Sequence, residues 1–152
     1  MQKSLMFLTL AVIVTGCRQK GSILVEADDQ RARVAIAAVE SFHKDLKEER
    51  YSEVCGRSTA TAFKGSSDLP CIPFLTFVHE NLGRPLDARR TNLPIREDGA
   101  ESEPVRVGLD YASEYERGSA KEHFEFRIAG QTATLISYSV ESEAFHSRET
   151  PR

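Results

Sequence analysis

Three cysteines carry most of the chemistry that this 152-residue chain can offer. Cys17 follows the small residues Thr15 and Gly16 at the end of an apolar run from Leu5 to Val14. Only the thiolate form of such a side chain is a strong nucleophile, so the position is open to covalent modification under mild conditions. Cys55 and Cys71 lie 16 residues apart. An even pair in an oxidising compartment invites a disulfide, and a loop of that size contributes about 3 kcal/mol. Two buried, unpaired thiols are the other reading, since free cysteine is a common core residue. Neither has a histidine or second cysteine at ligand spacing, so no metal site is expected.

The remaining reactive residues do not assemble into a recognisable site. The histidines His43, His79, His123 and His146 include no i, i+4 pair of the kind that holds zinc on a helix. His43 is expected to face solvent beside Lys44. His79 and Glu80 diverge on their helix, His123 alternates outward with Glu125 and Arg127, and His146 falls in the tail. There is no Gly-x-Ser-x-Gly elbow, Ser-x-x-Lys box or phosphate-binding glycine loop, and no cofactor is implied. Tyr111 and Tyr138 sit on apolar strand faces and can either place hydroxyls in a pocket or serve as core aromatics. Asp110 is out of phase with Tyr111, so no carboxylate or imidazole is expected to join them, and the usual acid–base pair is missing. Arg89 and Arg90 are candidate anion contacts; as strand neighbours they point to opposite faces, and a solvated face or an ion pair with the acidic 97–103 loop is the plainer reading.

The elements that must position these residues can be read from periodicity. Ala35, Val39, Phe42 and Leu46 draw one apolar stripe along a helix over 27–47, with Asp28 and Asp29 in its first turn and Lys44 and Lys47 in its last. A short helix follows, with Tyr51 and Val54 inward and Gly56 at its end. Residues 57–70 read as loop. A third helix from Pro73 buries Phe74, Phe77, Val78 and Leu82 and stops at Gly83, with Pro85 beyond. The period then changes from 3.6 to 2. Leu86 to Ile95 reads as one strand and 96–104 as an exposed acidic turn. Val105, Val107, Leu109, Tyr111 and Tyr115 mark a second strand; Phe124, Phe126 and Ile128 a third; Ile136, Tyr138 and Val140 a fourth. Helices followed by an antiparallel meander indicate an α+β fold, with N-terminal helices packed on a curved sheet.

The amino terminus argues for location. Lys3 supplies a positive start, and Leu5 to Val14 is too short to span a bilayer, for which about 20 residues are needed. With Val14-Thr15-Gly16-Cys17 behind it, this segment resembles the signal peptide and lipobox of bacterial lipoproteins. The resemblance implies cleavage before Cys17, diacylglycerol on its thiol and an acyl chain such as palmitate on the new amino group. Stable membrane attachment follows, at about 0.8 kcal/mol per buried CH₂. An ordinary signal peptide with an incidental cysteine and an uncleaved anchor helix are the other readings of the same residues. The expected organisation is a signal peptide over 1–16, lipidated Cys17 and a polar tether over 17–26, one domain over 27–141 and a flexible tail over 142–152.

The order of elements is similar to the nuclear-transport-factor-2-like fold, also described as a cystatin-like cone, and to small exported bacterial proteins that carry it. The matching segments are Asn81-Leu82-Gly83-Arg84-Pro85, Asp87-Ala88-Arg89-Arg90 and Leu135-Ile136-Ser137-Tyr138-Ser139-Val140, within roughly 30–141. The fold hosts enzymes, binding modules and scaffolds alike. The leading expectation is a cell-envelope module, facing the periplasm from the outer or inner membrane, that binds a protein or small ligand without catalysis. A hydratase or isomerase acting through Tyr111 or Tyr138 is the alternative. A net charge of −3 argues against a nucleic-acid partner.

Overall fold

The computed structural model describes residues 22–24, 29–63, 68–97 and 104–145; the lipobox and Cys17 lie outside them. The elements are β1 (Ser22–Leu24), α1 (Gln30–Lys47), α2 (Tyr51–Gly56), α3 (Cys71–Leu82), β2 (Pro85–Arg90), β3 (Ile95–Glu97), β4 (Val105–Tyr115), β5 (Gly118–Ala129), β6 (Thr132–Glu141) and a closing 3₁₀ turn at Glu143–Phe145. The fold is α+β. All six strands belong to one antiparallel sheet in the order β1-β3-β4-β5-β6, with β2 also paired to β4.

The helical stripe does what its spacing requires. Ala35, Val39, Phe42 and Leu46 are all buried, and they meet the inward faces of β4 and β5. Those strands alternate without a break: Val105, Val107, Leu109, Tyr111, Ser113 and Tyr115 point in from β4, and Ala120, Glu122, Phe124, Phe126 and Ile128 from β5. Phe124 sits at the centre, ringed by Phe42 at 5.1 Å, Tyr138 at 4.9 Å and Tyr111 at 5.8 Å between ring centroids. Phe42 and Tyr111 meet it edge-on and Tyr138 is tilted, and such aromatic contacts add to the burial of the rings themselves.

Several expectations need correction. Helix α1 starts at Gln30, because Asp29 caps it: its carboxylate accepts from the Arg31 amide at 2.8 Å. Helix α3 starts at Cys71, ahead of Pro73, and Phe77 is 39% exposed, its ring tilted against Phe145 at 5.3 Å; Leu75 takes the buried position instead. The expected single strand from Leu86 to Ile95 is two, β2 and β3, laid end to end along β4. Part of the expected tether is strand β1, paired to β3. On β6 the pairing moves from Glu125↔Ser137 to Phe126↔Leu135, so Ile136 is the extra residue of a bulge, and Leu135 turns inward in its place. The segment after Glu141 is not wholly loose, since the turn at Glu143–Phe145 folds back onto α3 and β5.

The loop after α2 lies along the free edge of β6. The Thr59 amide donates to the Leu135 carbonyl at 2.8 Å, the Leu135 amide to Arg57 at 3.0 Å, and the Tyr138 amide to Ala62 at 2.8 Å. These bonds satisfy the strand around its bulge and bury Ala62 and Phe63. The other fixed point is Gly83, which ends α3 at φ 79°. A Cβ there would stand 2.8 Å from the Glu116 Cβ, so backbone freedom and close approach both require glycine.

Candidate functional site

The centre of the polar chemistry is Glu122. It stands on β5 in phase with Phe124, Phe126 and Ile128, which places a carboxylate on the apolar face. Its side chain has no exposed surface. A carboxylate carried to such a place is costly unless each lone pair finds a donor. Oε1 accepts from the Tyr138 hydroxyl at 2.6 Å and the Tyr115 hydroxyl at 2.8 Å. Oε2 accepts from His43 Nε2 at 2.8 Å and from the Ser113 hydroxyl. Four donors meet about four lone-pair sites, so the carboxylate is saturated.

Each donor comes from a different constraint. Ser113 and Tyr115 lie two apart on β4 and share its inward face. Tyr138 is opposite Phe124 on β6, beyond the bulge that resets the alternation. His43 comes from α1, one position past Phe42, and its ring is 13% exposed. It packs edge-on against Phe42 and Phe124, both at 5.8 Å, and against Tyr111 at 6.1 Å.

Burial by itself pushes the Glu122 carboxyl up. The hydrogen bond and charge of His43, then the hydroxyls of Ser113 and Tyr138, outweigh that and hold it below its usual value. The same carboxylate, added to burial, holds the hydroxyls of Tyr115 and Tyr138 well above the ordinary tyrosine value. Tyr111, also buried, is raised for the same first reason, with Arg90 acting in the opposite sense. The site is therefore an ionised acceptor surrounded by protonated phenols.

Two expectations fail here. His43 does not face solvent, and the interior does hold a carboxylate and an imidazole in contact. The signal was present in the strand alternation: Glu122 is two residues before Phe124, and Ser113 two after Tyr111. What no local pattern marks is the α1 position that meets them. Tyr111 and Tyr138 both belong to the core, but they are used differently. Tyr138 gives its hydroxyl to Glu122, while Tyr111 contributes its ring to the His43 and Phe124 contacts. Arg89 is exposed and Arg90 half-buried, consistent with their alternation.

Other polar groups serve the frame. Asp45 is buried on α1, where burial raises its carboxyl and Arg50 and Arg57 more than offset that, leaving it lowered. Asp110 and His123 meet on the outer face at 2.6 Å, with Asn92 Nδ2 on the other oxygen of Asp110 at 2.7 Å. His79 contacts Glu49 at 3.8 Å near the end of α3. Cys55 and Cys71 are joined, with Cα atoms 5.9 Å apart, tying α2 to the start of α3. Among the described residues, no group of three or more His, Cys, Asp or Glu side chains is placed to hold a metal ion. Nor is any described helix long and apolar enough to cross a membrane.

A cavity of about 50 Å³ opens between α1, α2 and the β5–β6 face. Its lining includes Phe42, Phe126 and Leu135 but none of Glu122, Tyr111 and Tyr138. The polar cluster and this open space are thus separate features, with Phe42 between them.

No family model matches the chain, and no curated protein matches it. Among solved structures it resembles one titled "Structure of Bdellovibrio bacteriovorus Bd1075", with a TM-score of 0.49 and 10% identity. The likeness covers 76% of this chain and 42% of that one, so this chain spans less than half the length of the protein it matches.

Proposed function

We propose that this is a lipid-anchored bacterial cell-envelope protein, processed at Cys17, that acts by binding and not by catalysis on a nuclear-transport-factor-2-like cone. The observation that carries the second half is the state of Glu122. Acid–base chemistry in the interior would need that carboxylate, and it is fully enclosed with every lone pair engaged. A general base must reach the proton it abstracts. Neither Glu122 nor Tyr138 borders the open cavity, so the interior polar groups hold the fold together and recognition falls to surfaces and clefts.

The Cys55–Cys71 bond supports export, since such bonds persist in oxidising compartments and are rare in the cytosol. Strand β1 begins five residues after Cys17, a reach of at most about 18 Å. With a lipid on Cys17, the end of the sheet where β1 meets β3 would face the membrane, and the α3 end would face away.

The test is membrane fractionation of cells fed a labelled fatty acid. The wild-type chain is expected in membranes and labelled; Cys17→Ala is expected to lose the label and resist processing. Normal labelling and tight, salt-resistant membrane attachment of a processed Cys17→Ala chain would overturn the anchor.

A further inference from the structure

The edge of the sheet that carries β2 and β3 combines positive charge with exposed leucines. Residues 84–96 hold four arginines and one aspartate, in a chain of net charge −3. Arg84 is answered by Glu49 at 3.2 Å. Arg89 is exposed and Arg90 half-buried, and neither has an ion pair among the described residues. The acidic groups around them are Asp87, on the same strand opposite Glu114 of β4, and Glu40 on α1, which lies near Tyr111 as Arg90 does without pairing to it. No described strand pairs with the outer side of β2.

Leu86 at 60% and Leu93 at 51% are the two most exposed large apolar side chains among the described residues. A single exposed leucine is ordinary, but Leu93 is held out by a built turn. The Thr91 amide donates to the Asp110 carbonyl at 2.8 Å, Asn92 Nδ2 donates to Asp110 Oδ2 at 2.7 Å, and Asn92 Oδ1 accepts from the Asp110 amide at 2.9 Å. On the other side Pro94 is fully buried. Leu93 therefore projects from a turn pinned both before and after it.

The chain's own path says what meets this edge. Strand β1 lies along β3, with Leu24 opposite Ile95, two residues past Leu93. Cys17 is seven residues before Leu24, a reach of at most about 25 Å. Arg18 and Lys20 in that stretch add positive charge, and the acidic 97–103 run begins at the end of β3 away from Leu93. A bilayer takes apolar side chains into its acyl boundary and attracts arginines to anionic headgroups. We propose that, with Cys17 lipidated, the β2–β3 edge docks on an anionic bilayer, with Leu93 in the acyl boundary and Arg89 and Arg90 on lipid phosphates. This rests on the lipid-anchor reading and adds to it the face that the domain lays on the membrane.

The chain has no tryptophan, so one introduced indole reports one position. Leu93→Trp and Ile72→Trp are made in the full chain, purified with its lipid and placed in vesicles of phosphatidylglycerol and phosphatidylcholine with brominated acyl chains. Ile72 is nearly as exposed, at 49%, but stands on α3. Bromine quenches an indole only at the depth of the acyl chains. Emission at position 93 is expected to fall about twofold, with emission at position 72 unchanged. Pure phosphatidylcholine, or Arg89→Gln with Arg90→Gln, is expected to remove about half of that quenching by taking away the electrostatic attraction. The inference is overturned if position 93 is quenched no more than position 72, or if neither change of charge weakens the quenching. A protein occupant of this edge would leave position 93 unquenched in vesicles that hold this chain alone, which also overturns it. The mass of the purified chain shows whether Cys17 carries lipid. A chain without lipid overturns the anchor and the docking together, whereas a lipidated chain unquenched at position 93 overturns the docking alone.

Discussion

His43 on α1 and Glu122 on β5 are 79 residues apart in the chain and 2.8 Å apart in the fold. The contact is the one polar bond in the Glu122 cluster that ties a helix to the sheet; the other three donors come from strands. It fixes the rotation of α1 about its axis, because an imidazole at position 43 can reach the carboxylate only when Phe42 and Leu46 face inward. A buried ion pair is weak support for stability, since desolvation consumes most of its attraction, but removing one partner from such a pair is costly.

Glu122→Ala should therefore destabilise the protein by about 3–5 kcal/mol, as four donors lose their acceptor together. Glu122→Gln keeps the shape and one acceptor oxygen, and should cost less, about 1–3 kcal/mol. Urea unfolding followed by circular dichroism measures both. A loss below about 1 kcal/mol for Glu122→Ala would mean that the phenols and His43 find other partners, and that the cluster is not the constraint described here.

Stability should fall at both extremes of pH. Glu122 and Asp45 are held below their usual values of 4.5 and 3.8 in the folded state. Their contribution is present above those values and is lost as pH falls through the lowered ones, so acid unfolding should set in below about pH 4. Tyr115 and Tyr138 are held above their usual value of 10.0. Their contribution is present below pH 10 and declines above it, because the unfolded chain releases those protons first. Melting temperature across pH 2–12 tests this, and Glu122→Gln should flatten the acid limb. An unchanged acid limb in that variant would assign acid sensitivity elsewhere.

The Cys55–Cys71 bond closes a loop of 16 residues and should contribute about 3 kcal/mol. Reduction, or the Cys55→Ser/Cys71→Ser pair, should lower the melting temperature accordingly. Cys55 and Cys71 are only partly buried and pack against the outside of the core, so the reduced chain should still fold. Equal melting temperatures with and without reductant would show that α2 and α3 stay docked through Val54, Phe74 and Val78 alone.

What could be read directly from the residues was local. The apolar stripe Ala35–Val39–Phe42–Leu46 and the alternation of Val105 to Tyr115 and of Phe124 to Ile128 are consequences of the 3.6- and 2-residue periods, and they sufficed for helices on an antiparallel sheet. The same alternation also contains Glu122 and Ser113, whose inward direction follows from phase although their chemistry argues against burial. The break between β2 and β3, the bulge at Ile136 and the return of Phe145 onto α3 left no comparable mark, because each is settled by pairing with a distant strand or helix. The cluster itself belongs to tertiary structure. One carboxylate can be kept ionised in an apolar interior only when donors from α1, β4 and β6 converge on it, and nothing within a few residues of Glu122 says which hydroxyls and which imidazole will arrive.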